Sequence, residues 1–60
     1  MKEKFLRVTG RNFVAGAFFA RTVGGWRLAE AAPILRWMRN VKVSDMAREL
    51  ERRGCRWEWL

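Results

Sequence analysis

Two β-prone stretches open the chain and meet at a polar interruption. Residues 5–9 form the shorter one, and Gly10-Arg11-Asn12 separates it, as a bulge or a turn, from the longer apolar stretch 13–21. In the longer stretch apolar residues occupy both alternating sets of positions, so both strand faces are expected to be at least partly buried. Gly16 leaves room there for a bulky group to cross, most simply a tryptophan carried by a helix. The pattern predicts the central strand of a sheet.

A glycine pair predicts a tight hairpin after the central strand. Gly24-Gly25 supplies the positive φ that such a turn requires. Residues 26–31 then alternate, with Trp26, Leu28 and Glu30 on one face and the intervening residues on the other. This alternation is typical of a half-exposed strand, and it leaves open which face points to solvent.

Two short helices are predicted to follow the hairpin. Pro33 suits the first helical position, because an N–H there would have no hydrogen-bond partner within the helix. A second helix is expected to begin after an N-cap at Ser44 and to end at Gly54. The apolar face of the first helix consists of Ile34, Leu35, Trp37 and Met38.

The C-terminal residues alternate strictly between two faces, which predicts a further strand. Cys55, Trp57 and Trp59 share one of these faces. We expect Trp57 and Trp59, together with Trp37, to fill a core that is too small to close otherwise. The complete pattern predicts one α+β domain over residues 1–60: a small three-stranded antiparallel sheet packed with two short helices, in the order β-β-α-α-β.

The charge balance indicates an anionic partner. The chain carries 13 lysines and arginines against 6 aspartates and glutamates, which gives a formal net charge of +7, and it contains no histidine. Arginine dominates the cations, and its guanidinium suits bidentate phosphate contacts and stacking on bases. Two interpretations stay open: a surface that follows phosphates with salt-dependent affinity, or a solvated exterior whose charge prevents aggregation.

Two groups of residues form the candidate binding surface. The first group is the set of cations on the two predicted helices and their link, and the second is a tryptophan–arginine pair beside the glycine turn. Of the tryptophans, Trp26 is the one expected to remain partly exposed, because it lies at a strand start beside the glycine turn, and interface hot spots are enriched in tryptophan and arginine. The candidate residues are Arg36, Arg39, Lys42, Arg48, Arg52, Arg53, Trp26 and Arg27.

The missing residue types exclude most catalytic chemistry. Without histidine, and with Cys55 as the single cysteine, the chain cannot form a Ser-His-Asp or Cys-His site or a Cys/His zinc site. We therefore expect no catalytic residue, no metal and no cofactor. The longest apolar run, 13–20, is far shorter than the roughly twenty residues of a membrane span. A lone cysteine fits a reducing compartment, so a cytoplasmic protein, monomeric or homodimeric, is expected.

Two short blocks carry a resemblance. The blocks FVAG at 13–16 and AAPILRW at 31–37, separated by a glycine turn and followed by a helix and Gly54, resemble a group of short uncharacterised proteins encoded by phages and prophages. The resemblance implies a mobile-element setting and a bacterial host's cytoplasm, and it implies no reaction. Small phage proteins are often accessory factors that bind nucleic acid, or inhibitors of host complexes, of which anti-CRISPR proteins are one class.

Three functions remain as expectations. The first is binding of nucleic acid, or of a nucleic-acid-handling host complex, through the arginine-rich face. The second is an anti-defence inhibitor in which Trp26 and neighbouring arginines dock on an acidic surface of a host protein. The third is a structural virion component or a homodimer with no ligand of its own.

Overall fold

Four antiparallel strands form the sheet in the computed structural model, which describes residues 2–60. The strand order is β3-β2-β1-β4, so the first two strands lie at the centre and the other two at the edges. The strands are β1 (Glu3–Thr9), β2 (Val14–Thr22), β3 (Gly25–Ala31) and β4 (Arg56–Trp59).

The α+β class with an antiparallel sheet and two short helices is confirmed, but the predicted number of three strands is wrong. The polar interruption at 10–12 is a turn, closed by a hydrogen bond from the Gly10 N–H to the Phe13 carbonyl at 2.8 Å. The residues before it therefore fold back as a separate strand, with Phe5 opposite Phe18. The predicted central strand, β2, does have neighbours on both sides.

The glycine hairpin is confirmed between β2 and β3. Gly25 has a φ of +107°, a conformation that side chains disfavour. The Thr22 hydroxyl donates a hydrogen bond to the Gly25 carbonyl at 2.8 Å, which closes the turn. Further along, the register between β2 and β3 shifts at Phe18/Phe19. This bulge places Glu30 opposite Phe18, on the side of the sheet opposite to Leu28, although sequence alternation had put both on one face.

The helical part is tighter than the sequence predicts. The first helix, Pro33–Asn40, is a 3₁₀ helix with proline in its first turn. A 3₁₀ turn at Val43–Asp45 then leads into the only α-helix of the described residues, α1 (Met46–Arg52). The predicted N-cap at Ser44 is wrong, because the 3₁₀ turn includes it and Asp45 takes the cap position without a side-chain hydrogen bond. Gly54, at a φ of +77°, ends the helical segment as predicted.

The core lies between the helices and one side of the sheet, which we call the inner face. Apolar residues of β1, β2 and the helical segments fill it. Trp57 and Trp59 are 38% and 41% exposed, so the prediction that tryptophans fill the core is wrong for both; Trp37 is partly buried against it. Trp57 and Trp59 lie on the edge strand β4. Side chains from the helical segments, Leu35, Met38, Met46 and Leu50, fill the core instead. The buried residues are Leu6, Val8, Ala17, Phe19, Leu35, Met38, Met46 and Leu50.

The other side of the sheet, the outer face, carries no covering element in residues 2–60. In β1 the inward Leu6 and Val8 are fully buried, whereas Phe5 and Arg7, which alternate with them, are exposed. The expectation that both faces of β2 are at least partly buried is confirmed: on the outer side Gly16, Phe18 and Ala20 are half-buried, although Val14 is 66% exposed. Gly16 also faces outward. The ring that occupies the space of its absent Cβ is that of Phe5, and not that of a tryptophan from a helix as expected.

Phe19→Ala is expected to lower the free energy of unfolding by about 3 to 5 kcal/mol, because removal of this fully buried ring leaves a cavity in the core. The ring also contacts Trp59 edge-on, with 5.4 Å between centroids. A domain of this size has roughly 5 kcal/mol of stability, so the variant should be largely unfolded in a urea titration followed by circular dichroism. Val23→Ala, at a fully exposed turn position, is the control. A Phe19→Ala midpoint equal to that of the control would contradict this core.

Candidate nucleic-acid interface

One cleft brings together four of the eight candidate residues. It has a volume of about 450 Å³ and lies between the start of β3 and the link between the helices. The hairpin turn presents Trp26 and Arg27 on one side of it. The last turn of the 3₁₀ helix contributes Arg39, and the link residue Lys42 follows three positions later. These residues are distant in sequence, and the packing of β3 against the helical segment joins them.

The cations of this cleft are not neutralised within the described chain. No carboxylate of residues 2–60 lies within 4 Å of Arg27, Arg39 or Lys42. None of the side chains that line the cleft in this part of the chain is acidic. All three cationic residues are exposed to solvent. The cleft therefore presents concentrated positive charge around a concave surface, which attracts anions.

The apolar floor of the cleft comes from the core. Leu28, Met38 and Met46 line its base, and the two methionines are almost completely buried. An apolar base keeps water away from one side of a bound group and strengthens its electrostatic interaction with the cations. The arrangement suits a ligand that combines negative charge with a flat or apolar part.

The other candidate cations do not converge on the cleft. Arg48 borders a neighbouring depression that it shares with Lys42, but Asp45 and Glu49 line that depression too. Arg36 is exposed and does not line the cleft.

Glu49 forms ion pairs with the last two candidate residues, Arg52 and Arg53, at the end of α1. Its Oε1 lies 3.1 Å from Arg52 Nη2 and 3.9 Å from Arg53 Nη2, because residues three and four positions apart share a helix face. The Arg53 guanidinium also stacks over the Trp37 ring, with its Cζ 4.0 Å from the centroid. These two arginines are thus occupied by local partners, which weakens their attraction for an external anion.

Lys4 is a contributor that sequence reasoning missed. Its Nζ lies 4.5 Å from the Trp26 ring centroid and 4.9 Å from that of Trp59. Arg21 approaches Trp26 as well, with its Cζ 5.8 Å from the centroid. The half-buried Trp26 ring is thereby held at the margin of the cleft. A signal existed in the sequence: Lys4 alternates with the core residues Leu6 and Val8 and so belongs to the inner face.

Lys4→Met should destabilise the protein by about 0.5 to 2 kcal/mol, because methionine keeps the aliphatic stem but loses the charge held between two indole rings. Urea titration followed by tryptophan fluorescence measures this loss. Lys2→Met is the matched control, since Lys2 is exposed and shows no ring contact within residues 2–60. If both variants unfold at the wild-type urea concentration, the cation–π contacts contribute nothing to stability.

Neither a metal site nor a spanning helix is present in the described range. No cluster of three or more cysteine and carboxylate side chains within residues 2–60 has the geometry to hold a metal ion. Every helix of that range is too short and too polar to cross a bilayer. Cys55 is a partly buried thiol. The comparison with known proteins gave no relative: no protein-family model, no curated protein and no solved structure matches this chain.

Proposed function

We propose that this protein is a non-catalytic accessory protein of phage type that binds nucleic acid in a host cytoplasm through the basic cleft. The observation that carries the proposal is the convergence of Arg27, Arg39 and Lys42 on one concavity whose described lining contains no carboxylate. Guanidinium and ammonium groups at such a site are the usual ligands of backbone phosphates.

The side chains divide the work of binding by their chemistry. Arg39 and Arg27 offer planar donor arrays that bind two phosphate oxygens at once, and Lys42 adds a mobile point charge. The indole of Trp26 and the apolar floor offer a surface for a sugar or a base edge next to the phosphate. Arg48 lies beyond Lys42, at a depression that Asp45 and Glu49 also line, so it adds little to this basic surface.

A helix-turn-helix motif, whose second helix would enter a major groove, does not fit these elements. The supporting helix of such a motif would be the 3₁₀ helix Pro33–Asn40, and the recognition helix would be the seven residues of α1. Arg52 and Arg53, at the C-terminal end of α1, already form ion pairs with Glu49. Binding through phosphates, with little readout of bases, is therefore the mode that we propose.

Charge reversal in the cleft tests the proposal. The double variant Arg39→Glu/Lys42→Glu should bind a labelled oligonucleotide at least about tenfold more weakly at low salt, and the slope of log K against log salt should flatten by about 2. Fluorescence anisotropy with single- and double-stranded oligonucleotides over a salt series measures both quantities. A wild type that binds neither oligonucleotide at low salt overturns the proposal.

The matched control is Lys2→Glu/Arg11→Glu. Both side chains are exposed, neither lies within 4 Å of a carboxylate of the described chain, and neither lines the cleft. This pair changes the net charge by the same amount as the cleft variant. An equal loss of affinity in the two double variants would mean that overall charge, rather than the cleft, attracts the nucleic acid.

An anti-defence inhibitor is the second candidate function, and the exposed aromatic side chains favour it. Phe5, Trp57 and Trp59 remain more than a third exposed, and aromatic anchors beside arginines are typical of protein interfaces. In this version the cleft cations and Trp26 dock on an acidic surface of a host protein. A stoichiometric protein partner, captured from a nuclease-treated bacterial lysate by the wild type and lost with Arg39→Glu/Lys42→Glu, would support it over nucleic-acid binding.

A further inference from the structure

The outer face of the sheet has an apolar centre on its two middle strands. Phe5 and Phe18 are direct cross-strand neighbours, with ring centroids 6.3 Å apart and planes inclined by 58°. Val14 projects from the same face and is 66% exposed. A groove of about 310 Å³ runs beside the rings over Gly16 towards the end of β3. The face thus offers both projecting side chains and a depression of side-chain size.

The charges around this centre differ from those of the rest of the molecule. Strand register places Glu3, Glu30 and Glu58 on the outer face, which is half of the six carboxylates in the chain. Arg7 and Arg56 share the face, and Arg7 forms an ion pair with Glu58. The register also places Arg27 on this side at the edge strand β3, and the same residue lines the cleft, with its guanidinium beside Gly24 of the hairpin. In a chain of net charge +7, this face is close to neutral and carries both signs.

The mixed charges around the apolar centre of the outer face favour a second copy of the chain over a nucleic acid as its binding partner. A nucleic acid would bring its phosphates against three carboxylates, which is unfavourable. A second copy of the chain, related by a two-fold axis, presents arginines to glutamates and glutamates to arginines, while the like charges that repel lie elsewhere on each copy. The mixed border is therefore self-complementary in charge.

We propose that the outer face is a homodimer interface in which two copies pack sheet against sheet through Phe5, Val14 and Phe18. Face-to-face sheets pack about 10 Å apart with interdigitating side chains, and the ridge-and-groove relief suits that geometry. An interface of about 600 to 800 Å² per partner is roughly an eighth to a sixth of the 4669 Å² surface of one copy. Burial of this face compensates for the small core of a sixty-residue chain.

The dimer leaves the basic clefts accessible. Arg39 and Lys42 belong to the helical layer, which lies on the side of the sheet opposite to the interface. The two clefts would then point away from each other on the outside of the dimer. Two linked sites raise the overall affinity for a ligand long enough to reach both. The dimer itself does not depend on the proposed function.

The experiment is sedimentation velocity of the wild type and three variants over a micromolar to millimolar concentration series. The wild type should sediment as a species of about twice 7.1 kDa. Val14→Lys and Phe5→Ser should each weaken the dimer by at least about tenfold, since one buries a charge and the other removes an anchor ring. Val23→Lys makes the same chemical change at an exposed hairpin position and should dimerise like the wild type.

Two results overturn the proposal: a wild type that stays monomeric throughout the series, or folded Val14→Lys and Phe5→Ser proteins that dimerise as well as Val23→Lys. A monomeric wild type whose Phe5→Ser variant loses oligonucleotide binding would make this face a nucleic-acid surface instead. Isotope-filtered NMR of mixed labelled and unlabelled wild type decides the case even if a variant fails to fold. Intermolecular contacts at Phe5 and Val14 support the proposal, and contacts confined to Trp57 and Trp59 on the β4 edge overturn it.

Discussion

One constraint governs this structure: the chain has enough helical residues to cover only one side of its sheet. Leu35, Met38, Met46 and Leu50 bring the apolar side chains that close the inner face, and they share one core cluster with buried residues of β1 and β2. Hydrophobic burial is the dominant stabilising term, so the position of this cover decides which residues become core and which stay at the surface. The outer face and the aromatic residues of the edge strand β4 are left in contact with solvent.

Cationic side chains cover part of the aromatic surface that apolar residues leave uncovered. Lys4 lies between the rings of Trp26 and Trp59, and Arg53 lies over Trp37, so three of the four tryptophans have a cationic side chain on a ring face. Long basic side chains cover aromatic surface with their stems while the charged head stays near water. Part of the high cation content of this chain thus helps to close a small fold, besides the role in anion binding that we propose for the cleft.

The carboxylates, in turn, separate the two surfaces that we assign. Glu3, Glu30 and Glu58 share the outer face, and Glu49 binds two arginines at the end of α1. No carboxylate of the described chain lies within 4 Å of Arg39 or Lys42, and both residues line the cleft. A near-neutral sheet face and a basic cleft on the opposite layer are suited to different partners, a second copy of the chain and a polyanion. The two proposals do not depend on each other.

Local features were predictable from the sequence: the α+β class, the hairpin at Gly24-Gly25 and the helix end at Gly54 depend on residue periodicity and on backbone conformations that glycine favours. Tertiary structure alone decided which sheet face the helices cover, that a bulge turns Glu30 outward, and that Arg39 and Lys42 meet Trp26. The reason is that register and facing are set by contacts between residues far apart in the chain, where burial of apolar surface outweighs the preference of any single segment.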